Sequence, residues 1–347
     1  MQVAYLPITI THINEEIPGV KTFVFANEDA KTIQYKPGQY LTLVEPHARE
    51  EVRRSYSITS SPALGEPLTI GVKRIENGFF SRRLIDHARV GDQLLTIGAA
   101  GFFTLPASMR VYRQVFFWAA GSGITPIYAL LKTILHQHPS ISVVLVYSNH
   151  DPSSTIFYAE LQQLSEQFAD RLTIKFLFSI FPRLDQARLH KDLLKRIVKE
   201  NVAVSLGEIL CYICGPDNYR RLCLYGLREM GVPAENIRQE TFSTAKVQVK
   251  AIPPDVESHR VIAYYGGETY RFQAQYPETI LQAAKKAGLS FPYSCEAGRC
   301  GNCAATCLQG KVWMSYNEVL TDREVARGLT LTCVGYAVEG DVVLDIK

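Results

Sequence analysis

Cysteines are concentrated in one short stretch near the end of this 347-residue chain. None of the eight cysteines precedes Cys211, and five of them lie between Cys295 and Cys333. The segment "SCEAGRCGNC", residues 294–303, holds three cysteines and two glycines. Thiols crowded in this way serve as disulfides or as metal ligands, so they restrict how this part of the chain can fold.

The start of the chain and its charge bear on which of these chemistries applies. The opening "MQVAYLPITITHINEEIPGV" has no basic region followed by an apolar run, so no signal peptide is predicted. The sequence contains no stretch of about 18 consecutive apolar residues, so no membrane span is predicted. We therefore expect a cytoplasmic protein whose thiols stay reduced, which disfavours disulfides. A net charge of +3 with mixed signs gives no pattern typical of nucleic-acid binding.

The spacing of the cysteines favours an iron–sulfur cluster. Four residues separate Cys295 from Cys300, two separate Cys300 from Cys303, and Cys333 follows far downstream. A long first gap, a short second gap and a distant fourth ligand are typical of plant-type [2Fe–2S] sites. The two glycines of the loop allow backbone N–H groups to approach the sulfurs. Structural zinc and free thiols are the alternatives, but structural zinc usually takes two ligand pairs that both have short gaps.

The chain divides into three modules. Residues 1–108 carry short alternating strands with Gly, Pro and Asn turns, which predict an antiparallel β-barrel. Residues 109–245 alternate apolar strands with helices, which predicts an α/β domain with a parallel sheet covered on both faces. Residues 246–258 contain adjacent prolines and predict a linker. Residues 259–347 predict an α+β unit with a hairpin, further strands and one helix that has Pro277 in its first turn.

Three stretches of the barrel offer groups for a phosphorylated aromatic ligand. In "RSYS", Arg54 supplies a fork for phosphate, Tyr56 a ring for stacking and Ser57 a small hydroxyl. "GVKR" follows, and then "GFFS" opens a helix whose N-terminus is a ready anion site. Together they resemble the flavin-binding barrel of the ferredoxin–NADP reductase superfamily. A place for a second phosphate at the helix N-terminus favours FAD over FMN. The resemblance implies further flavin contacts at Val72, Lys73, Gly78, Phe79, Phe80 and Ser81.

Two stretches of the α/β region predict a nucleotide site. "AAGSGITP" lies between a strand and a helix, where Gly121 and Gly123 allow close approach of a pyrophosphate. "CGP" ends a later strand, at the edge where ligands bind in such sheets. Both resemble the reductase superfamily, which implies NAD(P)H binding with Cys214 near the nicotinamide. The implied contacts are Gly121, Ser122, Gly123, Thr125, Pro126, Ser148, Cys214, Gly215 and Pro216. The arginine that a 2′-phosphate usually requires is missing after the second strand, which leaves NADPH and NADH both open.

Four other residues have a structural interpretation beside a functional one. Phe242, in "RQETF", resembles the aromatic residue that covers the flavin in this superfamily, and it equally fits a core aromatic at a strand end. Cys211 lies three residues before Cys214, so in a strand the two sulfurs point to opposite faces and should not meet. We predict that Cys211, Cys223 and Cys307 are small buried hydrophobic residues.

The resemblance extends over the whole chain. Residues 259–347 resemble a plant-type ferredoxin domain with a β-grasp sheet. The order of the three modules resembles the reductase components of multicomponent oxygenases, in particular the phenylacetyl-CoA epoxidase (monooxygenase) reductase type. This implies hydride transfer from NAD(P)H to flavin N5, with Ser57 and Cys214 beside it, and single electrons passed through Cys295, Cys300, Cys303 and Cys333 to an oxygenase component. An acyl desaturase or another diiron protein is an alternative acceptor, and a redox-sensing regulator is an alternative function.

Overall fold

The computed structural model describes residues 5–46, 51–183, 187–242 and 252–346. Within them the chain forms antiparallel sheets first, a parallel sheet second and a mixed sheet last. The predicted linker 246–258 lies partly outside these residues, so the module boundaries stay predictions. In the described part of the chain no helix is both long and apolar enough to cross a membrane.

The first module consists of two antiparallel sheets around a common core. One sheet has the strand order β1-β7-β4-β5 and the other β2-β3-β6, and a bridge between Ile58 and Ile70 links them. Phe23, Leu41 and Ile70 are fully buried between the sheets. The elements are β1 (Leu6–Thr9), β2 (His12–Ile17), β3 (Val20–Phe25), α1 (Glu28–Lys31), β4 (Tyr40–Pro46), β5 (Glu51–Ser57), β6 (Leu68–Lys73), α2 (Phe79–His87) and β7 (Gln93–Ala100).

The second module is a parallel sheet with helices on both faces. Its strand order is β10-β9-β8-β11-β12, and all pairs are parallel. Phe117 belongs to the core on one face and Trp118 to the core on the other, which explains the uninterrupted apolar strands. The elements are β8 (Gln114–Ala120), α3 (Ile124–Gln137), β9 (Ser142–Asn149), α4 (Tyr158–Gln167), β10 (Leu172–Phe178), α5 (Lys191–Asn201), β11 (Ile209–Cys214), α6 (Asp217–Glu229) and β12 (Ile237–Glu240).

The third module is a five-stranded mixed sheet crossed by one helix. Its order is β14-β13-β17-β15-β16, in which the central pair β13–β17 is parallel and the other pairs are antiparallel. Helix α7 buries Ile280 and Leu281 in the core of this module. The elements are β13 (His259–Tyr265), β14 (Glu268–Ala274), α7 (Ile280–Lys286), β15 (Ala304–Met314), α8 (Asp322–Ala326), β16 (Leu329–Leu331) and β17 (Gly335–Ile346).

The start of α7 differs from the sequence expectation. The sequence predicts Pro277 in its first turn, but the helix begins at Ile280 with Thr279 as its N-cap. The Thr279 hydroxyl accepts from the Gln282 N–H, and the Gln282 side chain accepts from the Thr279 N–H. This reciprocal capping box satisfies two N–H groups at once and fixes the helix start.

Candidate functional site

The four cysteines predicted as metal ligands come together as two pairs. Cys295 lies within hydrogen-bonding distance of Cys300, and Cys303 within that distance of Cys333. Cys303 also interacts electrostatically with Cys295, so the pairs are neighbours. Among the described residues, no group of three or more His, Cys, Asp or Glu side chains could hold one metal ion. Two neighbouring thiol pairs match a cluster of two irons, in which each iron takes two thiolates.

The loop directs backbone N–H groups at the first thiol. The Ala297 N–H donates to Cys295 Sγ over 3.4 Å. A hydrogen bond from the Cys300 thiol, joined by N–H groups of residues 297, 299 and 300, lowers the pKa of Cys295 to about 6 against the opposing effect of burial. A loop that stabilises a thiolate in this way is suited to metal ligation.

Other features of the loop also fit an anionic cluster. Gly298 and Gly301 have φ angles of +68° and +78°, which residues with side chains rarely adopt. Arg299 Nη1 and Asn302 Nδ2 are buried polar groups without a hydrogen-bond partner in the described structure. Donors of this kind are suited to the sulfurs of a [2Fe–2S] cluster.

Cys307 lies outside both pairs, and our prediction that it is buried was only partly right. It is half-buried on β15, and its thiol donates to the Gln309 carbonyl over 3.4 Å. Cys211 and Cys223 are fully buried together in one core of the parallel sheet, and Cys214 lies in the core of the opposite face. The prediction that Cys211 and Cys214 do not meet is confirmed.

Strand β5 carries the residues predicted to bind flavin. Arg54 is exposed, the Tyr56 ring is half-buried with its centre 6.2 Å from that of Phe80, and Ser57 is buried at the strand end. Alternation along the strand puts Arg54 and Tyr56 on one face and Ser57 on the other. An exposed cation, a flat ring and a hydroxyl therefore lie within four residues of one strand, in agreement with the predicted flavin site.

Three of the predicted flavin contacts point elsewhere. The side chains of Val72 and Phe80 are buried in the barrel core, so only their backbone can serve a ligand. The Ser81 hydroxyl donates to the Gly78 carbonyl and accepts from the Ile75 N–H, so it braces the turn. Val72, Phe80 and Ser81 stay predicted flavin contacts, and the groups that they offer to a ligand are those of the backbone.

The remaining groups fit the predicted anion site. In the described structure no side chain caps the first turn of α2, which begins after Gly78. Its N-terminus therefore keeps backbone N–H groups for an anion. Phe79 and Lys73 are exposed beside it. Arg54 and this helix start are two separate groups of the kind that attract phosphate.

A cavity of about 810 Å³ opens where the parallel strands end. Two glycines that line it, Gly121 and Gly215, follow β8 and β11, and Ser148 is near the end of β9. Carboxyl ends of parallel strands are the place where nucleotides bind in such folds. Its other lining residues include Ser122, Gly123, Pro216, Lys73, Asn149, Ser179, Arg188 and Phe242.

Gly121 and Gly123 are glycines for different structural reasons. Gly121 has a φ of +54° and open space around the position of a Cβ, which suits close approach of a ligand. A Cβ at Gly123 would lie 2.1 Å from the Cys214 carbonyl oxygen. Position 123 must therefore be a glycine, because a side chain there would clash with the end of β11. Thr125 and Pro126, predicted as nucleotide contacts, are buried and do not line the cavity.

Cys214 is fully buried, which the sequence did not indicate. Its side chain is 0% exposed, and burial raises the pKa of its thiol well above the usual value. The group is therefore neutral. It lies behind Gly215 and Pro216, which line the cavity.

Glu240 is a candidate that our sequence reasoning missed. It pairs in register with Cys214, and its Oε2 is buried without a hydrogen-bond partner in the described structure. Burial raises the pKa of this carboxyl to about 8. A buried acid with a pKa near neutrality is typical of functional sites. Glu240 stands two residues before Phe242, which we had identified as a candidate flavin contact. That short spacing was the sequence feature that could have indicated Glu240.

Two further observations change the sequence interpretation of the cavity. Arg188 lines the cavity with Ser148, so an arginine for phosphate is present, though it comes after β10 and not after β9. Phe242 is 48% exposed at the cavity edge. It is therefore not a core aromatic.

The third module contacts both of the others. The Tyr40 hydroxyl on β4 donates to the Cys300 carbonyl over 2.8 Å. On the side of the parallel sheet, Arg220 Nη2 lies 3.3 Å from a Glu318 carboxylate oxygen. The cysteine loop therefore sits at the junction of all three modules, a placement that no local sequence pattern contains.

Comparison with known proteins agrees with this division. Residues 7–105 match the family described as oxidoreductase FAD-binding domain, residues 117–223 the oxidoreductase NAD-binding domain and residues 264–338 the 2Fe-2S iron-sulfur cluster binding domain. One component of the 1,2-phenylacetyl-CoA epoxidase of Escherichia coli (strain K12) is 31% identical and aligns over 97% of this chain and 96% of its own. The ferredoxin reductase component of the 3-ketosteroid-9-alpha-monooxygenase of Rhodococcus rhodochrous is 32% identical over 94% and 92%.

Solved structures share the fold. Phthalate dioxygenase reductase superposes with a TM-score of 0.61 at 21% identity, covering 99% of this chain and 98% of its own. An intact type IV self-sufficient cytochrome P450 monooxygenase superposes with a TM-score of 0.74 at 20% identity. That superposition covers 98% of this chain but 41% of the longer protein.

The fold and the site define a flavin- and iron–sulfur-containing oxidoreductase that uses NAD(P)H. Its redox groups are FAD and a [2Fe–2S] cluster. The chain belongs to the ferredoxin–NADP reductase superfamily, among the reductases with a C-terminal plant-type ferredoxin domain.

Proposed function

We propose that this chain is the reductase component of an oxygenase system. It takes electrons from NAD(P)H and passes them through FAD and the cluster to an oxygenase component. The contact between the cysteine loop and the flavin barrel, at Tyr40 and Cys300, carries the proposal, because it brings the two redox sites together. Relatives named as oxygenase and epoxidase components support the choice of acceptor. None of the eight cysteines, all of which lie in the described part of the chain, forms a disulfide, which supports a cytoplasmic location.

The flavin is assigned to strand β5 and helix α2. Arg54 and the α2 N-terminus bind phosphate groups, Tyr56 supplies the stacking ring and Ser57 the hydroxyl at the reacting edge. When bound, FAD exchanges the electron pair of a hydride for single electrons. The protein itself fixes the orientation of the flavin ring and excludes water from it.

The nucleotide is assigned to the cavity at the sheet edge. Gly121 and Ser122 face the pyrophosphate, and Phe242 covers the flavin side of the cavity until the nicotinamide takes that place. Arg188 is the cation for a 2′-phosphate, which favours NADPH. Cys214 keeps the strand end uncharged behind the nicotinamide, and Glu240, protonated at neutral pH, can hold a proton there.

The proposal predicts a specific effect of removing one cluster ligand. The purified protein should contain FAD and about two irons and two sulfides per chain. It should reduce both a two-electron dye and cytochrome c with NAD(P)H. Cys333→Ser should lose the cluster and cytochrome c reduction yet keep dye reduction, because the hydride site is intact.

Cys307→Ser is the matched control, because Cys307 lies outside both thiol pairs. It should keep the cluster and both activities. Cytochrome c reduction by Cys333→Ser at the wild-type rate would show that the cluster is not the exit. A stable cluster without any NAD(P)H oxidation would identify a redox sensor instead.

A further inference from the structure

The sheet that carries the flavin strand also carries the contacts to the cysteine loop. Arg53 Nη1 donates to the Tyr293 carbonyl over 3.0 Å, and its guanidinium carbon lies 3.8 Å from the centre of the Tyr293 ring. The hydroxyls of Ser55 and Ser294 are 2.8 Å apart. Both contacts hold the segment that enters the loop just before the first cysteine.

Tyr40 makes the contact nearest to the metal ligands. Its hydroxyl donates to the backbone carbonyl of Cys300, which is itself a ligand residue. The side chain is 4% exposed, and a Cβ at Gly101 would lie 2.9 Å from its ring. The ring is therefore held firmly, and the hydroxyl is fixed in space by packing.

Strand register connects this contact to the flavin site. Tyr40 pairs directly with Ser57 across β4 and β5, so their side chains lie on the same face of the sheet. Arg54 and Tyr56 lie on the opposite face of β5. The Ser57 hydroxyl is assigned to the reacting edge of the flavin, and the Tyr40 hydroxyl binds the cysteine loop. These two residues are therefore direct neighbours across the sheet.

Phe102 supports the same placement. A Cβ at Gly301, the residue after Cys300, would lie 2.6 Å from the Phe102 ring. Phe102 follows the last barrel strand and packs against the core of the third module. The backbone at Cys300 and Gly301 is therefore held by a hydrogen bond and by an aromatic contact.

We propose that Tyr40 is a positioning residue that fixes the Cys295–Cys300 side of the cluster against the flavin-binding strand. The role assumes the cofactors of the proposed function. Arg53 and Ser55 hold the entry to the loop, and Tyr40 holds a ligand residue. Tyr40 therefore controls how closely and how steadily the cluster site faces the flavin site.

Tyr40→Phe tests this role, because it removes one oxygen and keeps the ring that packs on Gly101. The first readout is hydrogen–deuterium exchange in the protein loaded with both cofactors. Amides of residues 293–303 should exchange roughly two- to tenfold faster, as expected when one hydrogen bond is lost. Amides of α5, which packs on the parallel sheet of the second module, should keep their exchange rates.

The second readout separates the two reduction steps in an anaerobic stopped-flow experiment with NAD(P)H. Bleaching of the flavin should keep its wild-type rate. Bleaching of the cluster, in which one electron leaves the reduced flavin and one ferric ion becomes ferrous, should slow by roughly the same two- to tenfold. If Tyr40 were needed only for the stability of the barrel, its substitution would slow both the bleaching of the flavin and the bleaching of the cluster.

Tyr35→Phe is the matched control. Tyr35 lies in the same module, and its hydroxyl is 2.8 Å from that of Ser60, with no part in the loop contact. Equal exchange and equal cluster bleaching in Tyr40→Phe, Tyr35→Phe and the wild type would overturn the role of Tyr40 alone. A wild-type protein that binds no cluster would overturn the proposed function as well.

Discussion

At the scale of single residues, burial sets the charge of the groups at the end of β11 and β12. Cys214 and Glu240 pair in register, and burial raises the pKa of both side chains. Two ionisable groups are thus neutral where the cavity at the sheet edge begins. The sequence identified Cys214 from its motif, but Glu240 has no motif, and its burial arises from strand pairing far from its own segment.

Glu240 predicts a pH dependence of stability. Its pKa is raised from 4.5 to about 8 in the folded protein, so the folded state keeps a proton that the unfolded chain releases. Its contribution is fully present below about pH 4.5 and is lost as pH rises through about 8. Glu240→Gln should therefore flatten the fall of the melting temperature between about pH 5 and 8 and melt higher than wild type at pH 9.

The control for this prediction is Glu235→Gln, at an exposed position just before β12. It should follow the wild-type curve. Parallel melting curves for Glu240→Gln and wild type across this pH range would contradict a raised pKa at Glu240.

At the scale of elements, the sequence predicted the strands and helices well because their patterns are local. Continuous apolar runs such as β8 follow from burial on both faces, and the α2 helix follows from its apolar spacing. Side-chain direction in irregular segments was less predictable. Ser81 turned inward to brace a turn, and Thr279 displaced Pro277 at a helix start. Such outcomes depend on competing hydrogen bonds that composition does not rank.

The loop between β8 and α3 gives an element-scale prediction. A Cβ at Gly123 would lie 2.1 Å from the Cys214 carbonyl oxygen, so Gly123→Ala must push the loop and the β11 end apart. Overpacking of this kind costs about 1–3 kcal/mol. We expect a lower melting temperature and a KM for NAD(P)H raised roughly tenfold, since the displaced loop lines the nucleotide cavity.

Gly207→Ala is the control, because Gly207 has nothing within 4 Å of the Cβ position and a φ outside the left-handed region. Its KM and melting temperature should equal those of the wild type. A normal KM in Gly123→Ala would show that the loop adapts without affecting the nucleotide site.

At the scale of the whole molecule, the cysteine loop is joined to the parallel sheet by a buried ionic cluster. Glu318 of the third module lies 3.3 Å from Arg220 on α6 and 3.4 Å from Arg299 in the loop itself. The side chains of the two arginines are 4% and 7% exposed. Asp217, which lines the nucleotide cavity, also pairs with Arg220. This chain of charges links the cavity at the sheet edge to the cysteine loop, and it could not be predicted from sequence because it joins residues of separate modules.

The ionic cluster predicts that Glu318 stabilises the third module against the other two. Glu318→Gln leaves Arg220 and Arg299 close together without the carboxylate between them. Removing one partner of a buried ion pair costs about 3–5 kcal/mol, and we expect a loss near the lower end because Glu318 keeps some contact with solvent. The measurement is thermal loss of the visible absorbance of the cluster, followed beside the release of flavin fluorescence. The cluster transition should move to lower temperature more than the flavin transition.

Glu278→Gln, which breaks the exposed pair with Lys286, should leave both transitions within about 0.5 kcal/mol of the wild type. A cluster transition as stable in Glu318→Gln as in Glu278→Gln would mean that hydrogen bonds from Tyr40, Arg53 and Ser55 hold the module without the ionic cluster.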